Sequence, residues 1–180
     1  MKAVLLDRDG VINKYPGDTK YVTSWEEFVF LPGAKDAIAE MHRNKIKVIV
    51  ASNQAGVSKG LYTQETLDTI TRKMSAEVES AGGAIDAVYY CTHRNEDHCS
   101  CRKPKPGLLI TAAKEHAFDL AETFFVGDTI RDVKTARAAG CKSVLVLSGK
   151  EKEENKKDWQ EKPDLVFNNL DQAVKHILKQ

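Results

Sequence analysis

The sequence predicts an α/β fold: a doubly wound, mostly parallel sheet with helices on both faces. Three observations point there. Short apolar runs rich in Val, Ile and Leu recur along the chain, as strands buried on both faces require. Between them lie segments whose apolar residues return every three or four positions, the period of a helix. The two kinds alternate from end to end, the order that parallel strands need for their crossovers.

Residues 3–7 open the chain as a buried strand, and Gly10 permits a sharp turn after it. Pro32-Gly33 starts a helix that puts Ala34, Ala37, Ile38 and Met41 on one face. Residues 47–52 form a strand rich in β-branched side chains. Thr63 caps a long helix with the stripe Leu67, Ile70, Met74 and Val78, and Gly82-Gly83 ends it. A strand at 87–91 precedes a helix begun by Pro106-Gly107 and running through Leu109, Ile110 and Ala113. Then come a strand at 124–126, a helix at 131–139 closed by Gly140, strands at 143–147 and 164–167, and a helix at 170–178. Residues 150–162, mostly Lys and Glu without apolar periodicity, read as a solvated surface with no chemistry. Residues 13–31 and 92–106 are long for loops, and long loops in compact domains tend to be functional.

A chain of 180 residues fits one domain, 1–180, with a cysteine-rich loop at 91–106. Its formal net charge of +1 gives no footing for nucleic acid. No apolar run approaches the length of a membrane span, and no leader-like segment opens the chain. The expectation is a cytoplasmic monomer that acts on a small molecule, with no nucleic-acid or membrane partner and with reduced cysteines.

Four segments lie just beyond strand ends: Asp7-Arg8-Asp9-Gly10, Ser52-Asn53-Gln54, Arg102-Lys103-Pro104 (past a loop) and Gly127-Asp128. A doubly wound sheet gathers such tips at one edge. There, paired carboxylates can hold Mg²⁺, and one of them can attack phosphorus. Asp-x-Asp-Gly alone is also ordinary turn chemistry, so the shared location carries the inference. Asp132, one turn past Asp128, reads equally as a supporting partner or a solvated helix residue. Cys91, His93, Cys99 and Cys101 have the composition and spacing of a closed tetrahedral zinc site. Such a site is structural, and it would fix the direction of the adjacent Arg102 and Lys103. Cys141 reads as core and His98 as exposed, while His42, His116 and His176 lie in helical segments.

The order of these motifs resembles the haloacid dehalogenase superfamily of phosphatases, with its Rossmann-like core. The resemblance implies that Asp7 is the nucleophile and Asp9 the general acid/base. It further implies that Ser52, Arg102 and Lys103 stabilise the phosphoryl group, and that Asp7, Asp9 and Asp128 hold Mg²⁺. The zinc loop and the stretches Asp7 to Asn13, Phe30 to Ala34, Ser52 to Val57 and Cys99 to Gly107 are similar to the branch of heptose-bisphosphate and histidinol-phosphate phosphatases. The segment from Tyr21-Val22 to Leu31-Pro32-Gly33 favours the former. That branch implies substrate contacts from Arg8, Tyr15, Pro16, Gly17, Asp18, Asn53, Gln54 and Ala55. No large insertion separates the core strands, so no cap domain is expected. Thr129 stands where a Lys is frequent in the branch, removing one phosphate contact. A polynucleotide 3′-phosphatase has related core motifs, but the chain lacks a phosphate-binding kinase loop and a basic stripe with interleaved aromatics. A zinc-stabilised binding module without activity would have no need of both Asp7 and Asp9.

Overall fold

The computed structural model describes residues 2–180. Six parallel strands form one sheet: β1 (Ala3–Leu6), β2 (Lys47–Asn53), β3 (Ala87–Cys91), β4 (Phe124–Gly127), β5 (Lys142–Val146) and β6 (Leu165–Phe167). Their order is β3-β2-β1-β4-β5-β6. The winding reverses between β1 and β4, so a crevice opens outside the carboxyl ends of these two strands.

Alternation along the strands divides the core between the two faces. Val4, Leu6, Val48, Val50 and Val126 pack against α1 (Ala34–Arg43), α2 (Gln64–Ser80) and α5 (Leu170–Ile177). Ala3, Leu5, Ile49, Ala51 and Phe125 pack against α3 (Gly107–His116) and α4 (Ile130–Ala139). Asp7 follows Leu6, so the same alternation sends its side chain toward the α3–α4 face. The Lys103 ammonium lies on that face, over the Phe125 ring.

The stripe Leu67, Ile70, Met74 and Val78 is fully buried, and the Thr63 hydroxyl accepts from the Thr66 amide to cap α2. In α3 the buried face is Leu108, Leu109 and Ala112, whereas Ile110 points outward. α3 is therefore apolar over more than one face. Asp164 lies outside β6, and its carboxylate accepts from the Ser143 amide and hydroxyl, both at 2.7 Å. Cys141 is buried in the α3–α4 layer and His98 is exposed.

The segment between residues 13 and 31 has no helix, yet it is anchored. Trp25 stacks on Phe28 at 5.1 Å between ring centres, and Phe30 meets Phe28 edge-on at 5.0 Å. Isolated bridges join Asn13 to Asp9 and to Phe30. This aromatic clasp holds both ends of the segment, leaving residues 15–21 to form a wall of the crevice.

Candidate active site

Asp7 ends the central strand, and its amide still donates to the Val126 carbonyl at 2.8 Å. One carboxylate oxygen accepts from the Arg8 amide at 2.7 Å, and the other lies 2.8 Å from the Lys103 ammonium. Lys103 also lies 2.6 Å from Asp132 and is almost completely buried. Asp128 is buried beside them, with Oδ2 accepting from the Lys150 amide at 2.7 Å. The carboxylates of Asp7, Asp128 and Asp132 cluster closely enough to share one cation.

Burial raises the Asp7 carboxyl above its ordinary value; Lys103 opposes this and Asp132 adds to it. Asp128 is pushed well above the usual range by burial, then by Asp132 and Asp7. Burial alone would depress the Lys103 ammonium, but Asp132 and Asp7 outweigh it and raise it. Three buried carboxylates against one buried ammonium leave a deficit of positive charge. A divalent cation or bound protons must supply it.

Asp132 is committed on both oxygens. Oδ2 accepts from the Thr129 amide, closing a capping box at the start of α4, and Oδ1 faces Lys103. It therefore anchors Lys103 and is no solvated helix residue. Thr129 serves the same box as N-cap.

Asp128 fits into a slot between two glycines. A Cβ on Gly10 would stand 2.1 Å from Asp128 Oδ2, and one on Gly149 would stand 2.0 Å away. Gly10 also has φ +84, which a side chain resists. Gly10→Ala is expected to cost more than about 1 kcal/mol and to lower turnover by displacing Asp128. Urea melts and Mg²⁺-dependent phosphate release check both.

The Asp9 carboxylate lies beside this cluster and is held by other donors. Oδ1 accepts from Arg8 Nη2 at 2.9 Å, from Arg8 Nε at 3.1 Å and from Asn13 at 2.9 Å, while Oδ2 accepts from Gln54 at 3.0 Å. Asp9 still lines the crevice. Two expected substrate contacts turn out to lie beneath the site. The Arg8 side chain is 0 % exposed, lying between the Phe28 and Tyr90 rings, with Nε and Nη2 donating to Asp9. Gln54 is 1 % exposed and is spent on Asp9 and Tyr62.

The remaining expected residues line a crevice of roughly 430 Å³: Tyr15, Pro16, Gly17, Asp18, Ser52, Asn53, Ala55, Arg102 and Lys103. Asn53 braces Lys103 by pairing with both its backbone groups, each at 3.1 Å. The Tyr15 hydroxyl donates to Asp18 at 2.6 Å, and Lys150 pairs with the same carboxylate. Lys150 and Glu151 line the crevice, so the Lys/Glu segment begins at the site and is not remote from it. Lys59 and Arg131 also line it without having been singled out. Surface-like composition gave no signal for either.

The Cys91, His93, Cys99 and Cys101 donor atoms lie near one another at the end of β3. The sulfur–sulfur distances are 3.2, 3.5 and 3.7 Å, and His93 Nδ1 lies 3.3 Å from Cys101 and 3.6 Å from Cys91. Bonds of about 2.3 Å to sulfur and 2.0 Å to nitrogen in a tetrahedron require edges of about 3.5–3.8 Å. The donor set and spacing therefore fit zinc. Arg102 is tied to this loop through Asn95 at 2.6 Å and the His93 carbonyl at 3.1 Å.

Residues 100–173 match the family described as HAD-hydrolase-like. The chain is 38% identical over 178 residues to the D-glycero-beta-D-manno-heptose-1,7-bisphosphate 7-phosphatase of Pseudomonas putida, covering 99% of this chain and 100% of that one. The same-named protein of Neisseria meningitidis serogroup A is 36% identical, with coverage of 100% and 96%. The crystal structure of D,D-heptose 1,7-bisphosphate phosphatase from Bordetella bronchiseptica, complexed with magnesium and phosphate, superposes with a TM-score of 0.90 at 35% identity, covering 99% of each chain. Strand-tip carboxylates at the switch point and these likenesses define a phosphoric monoester hydrolase of the haloacid dehalogenase class. Within that class, the chain belongs to the family of the D-glycero-D-manno-heptose-1,7-bisphosphate 7-phosphatases.

Proposed function

We propose that this chain removes the 7-phosphate of D-glycero-D-manno-heptose 1,7-bisphosphate through an aspartyl-phosphate on Asp7. The observation that carries the chemistry is Asp7 on the crevice floor, backed by Lys103 and buried Asp128. The substrate rests on the likeness to named relatives along the whole chain.

Asp7 attacks phosphorus, and the bond from phosphorus to the sugar oxygen breaks. Asp9 gives its proton to the leaving alkoxide. A water then attacks the aspartyl-phosphate, Asp9 takes the water's proton, and Asp7 is released as carboxylate with inorganic phosphate. Lys103 offsets the phosphoryl charge, Ser52 donates its hydroxyl, and Arg102 adds a second cation at the rim. Asp7, Asp9 and Asp128 would hold Mg²⁺, which would supply the remaining positive charge. Residues 15–18, Asn53 and Ala55 form the walls that meet the sugar. Comparing kcat/KM for the heptose bisphosphate, histidinol phosphate and a 3′-phosphorylated oligonucleotide tests the reading. The first should be strongly preferred, and a preference for either of the others overturns it.

Cys91, His93, Cys99 and Cys101 would hold zinc, which would act by fixing Arg102 and Lys103, since four protein donors leave no open position for chemistry. Chelation is expected to speed amide hydrogen exchange across residues 91–106 and to reduce turnover. Unchanged exchange and kinetics in protein verified to be zinc-free would count against this role.

A further inference from the structure

Tyr62 lies outside the motifs and does not line the crevice, yet its hydroxyl donates to Gln54 Oε1 at 2.7 Å. That bond decides which way the buried Gln54 amide faces. With Oε1 turned to Tyr62, the Nε2 group points at Asp9 Oδ2, 3.0 Å away, and toward Ser52 Oγ, 3.3 Å away. The opposite amide orientation would set a carbonyl oxygen against the Asp9 carboxylate. Burial raises the Tyr62 phenol far above its ordinary value, so it remains a donor.

The backbone is shaped for this contact. A Cβ on Gly56 would stand 2.1 Å from the Tyr62 ring, so only glycine lets the ring reach Gln54. The Asp9 carboxylate has two kinds of support. Arg8 and Asn13 hold Oδ1 from the buried side, and Arg8 also reaches Oδ2 at 3.2 Å. Gln54 is the neutral donor on Oδ2, beside the charged Arg8.

We propose that Tyr62 is a positioning residue for proton transfer: through Gln54 it fixes the Asp9 oxygen that delivers the proton to the leaving alkoxide. This rests on Asp9 being the general acid, and the closing experiment separates the two ideas. General acid help matters most for a poor leaving group. An alkyl alkoxide needs the proton, whereas 4-nitrophenolate leaves without it. The ratio kcat/KM includes only the steps through transfer of the phosphoryl group to Asp7, so slow hydrolysis of the intermediate does not mask the contrast.

The experiment measures kcat/KM for a sugar phosphate and for 4-nitrophenyl phosphate in wild type, Tyr62→Phe and Asp9→Asn, with melting temperatures for each. Tyr62→Phe is expected to lower the sugar-phosphate value about tenfold and the aryl value less than about twofold. Its KM should be unchanged. Asp9→Asn is expected to show the same contrast, enlarged. If Asp9→Asn shows the contrast and Tyr62→Phe loses both substrates equally or neither, Tyr62 is structural and the proposal falls. If Asp9→Asn itself shows no contrast, Asp9 is not the acid and both ideas fall together.

Discussion

Asp7→Asn is expected to abolish Mg²⁺-dependent phosphate release while leaving the fold intact. Asn preserves the volume of the side chain and an oxygen for the Arg8 amide, which donates to Asp7 at 2.7 Å. The lost property is the anionic oxygen that bonds to phosphorus. Turnover should fall on the order of a thousandfold or more, because removing a nucleophile disables the catalytic group as a unit. Stability should not fall with it. Burial already raises the Asp7 carboxyl and Asp132 remains to pair with Lys103, so deleting one buried charge relieves the cluster. Single-turnover kinetics and thermal melts of the same preparation check the two halves. A variant that melts much earlier than wild type would show that Asp7 is chiefly structural.

Lys103→Ala should have the largest effect on stability. It leaves three buried carboxylates facing one another with no cation among them. Removing one partner of a buried pair costs about 3–5 kcal/mol. The loss depends on pH in a defined direction. Asp7 and Asp128 already sit above their ordinary values in the fold, and without Lys103 they rise further. A carboxyl whose folded value exceeds its unfolded value favours the fold below the unfolded value, and that advantage disappears as pH climbs through the folded value. The gap between variant and wild type should therefore widen as pH rises from the unfolded carboxyl value of about 4 to neutrality. Urea melts at both ends, without Mg²⁺, measure it. Added Mg²⁺ should recover part of the stability at the higher pH and little of the turnover.

What the sequence disclosed follows from what short-range patterns encode. Val4-Leu5-Leu6 followed by Asp7-Arg8-Asp9-Gly10 discloses a strand and the carboxylates at its tip, because strand, turn and carboxylates are contiguous. The four zinc-type donors were legible for the same reason. Arg8 was not, although it stands between the two aspartates. Its fate depends on Phe28 and Tyr90 closing over it, and the aromatic clasp that brings Phe28 there has no periodic signature. Asp132 was read only from its spacing to Asp128, because its partners are the Thr129 cap and Lys103, which arrives from another loop. Lys150 was hidden by composition: a run of Lys and Glu looks solvated even where its first amide grips Asp128.

The strand order has a consequence for how the molecule is made. Of the six strands, the central β1 precedes the others in synthesis. Its neighbour β2 follows soon after, but its other neighbour is β4, at Phe124–Gly127. Until β4 emerges, β1 presents a bare apolar edge, and the nascent chain carries half a sheet. Asp7 meets Lys103, Asp128 and Asp132 only after most of the chain has been synthesised. A cation bound to the finished cluster then strengthens contacts that form late, so it should prolong the life of the native state more than it hastens its formation.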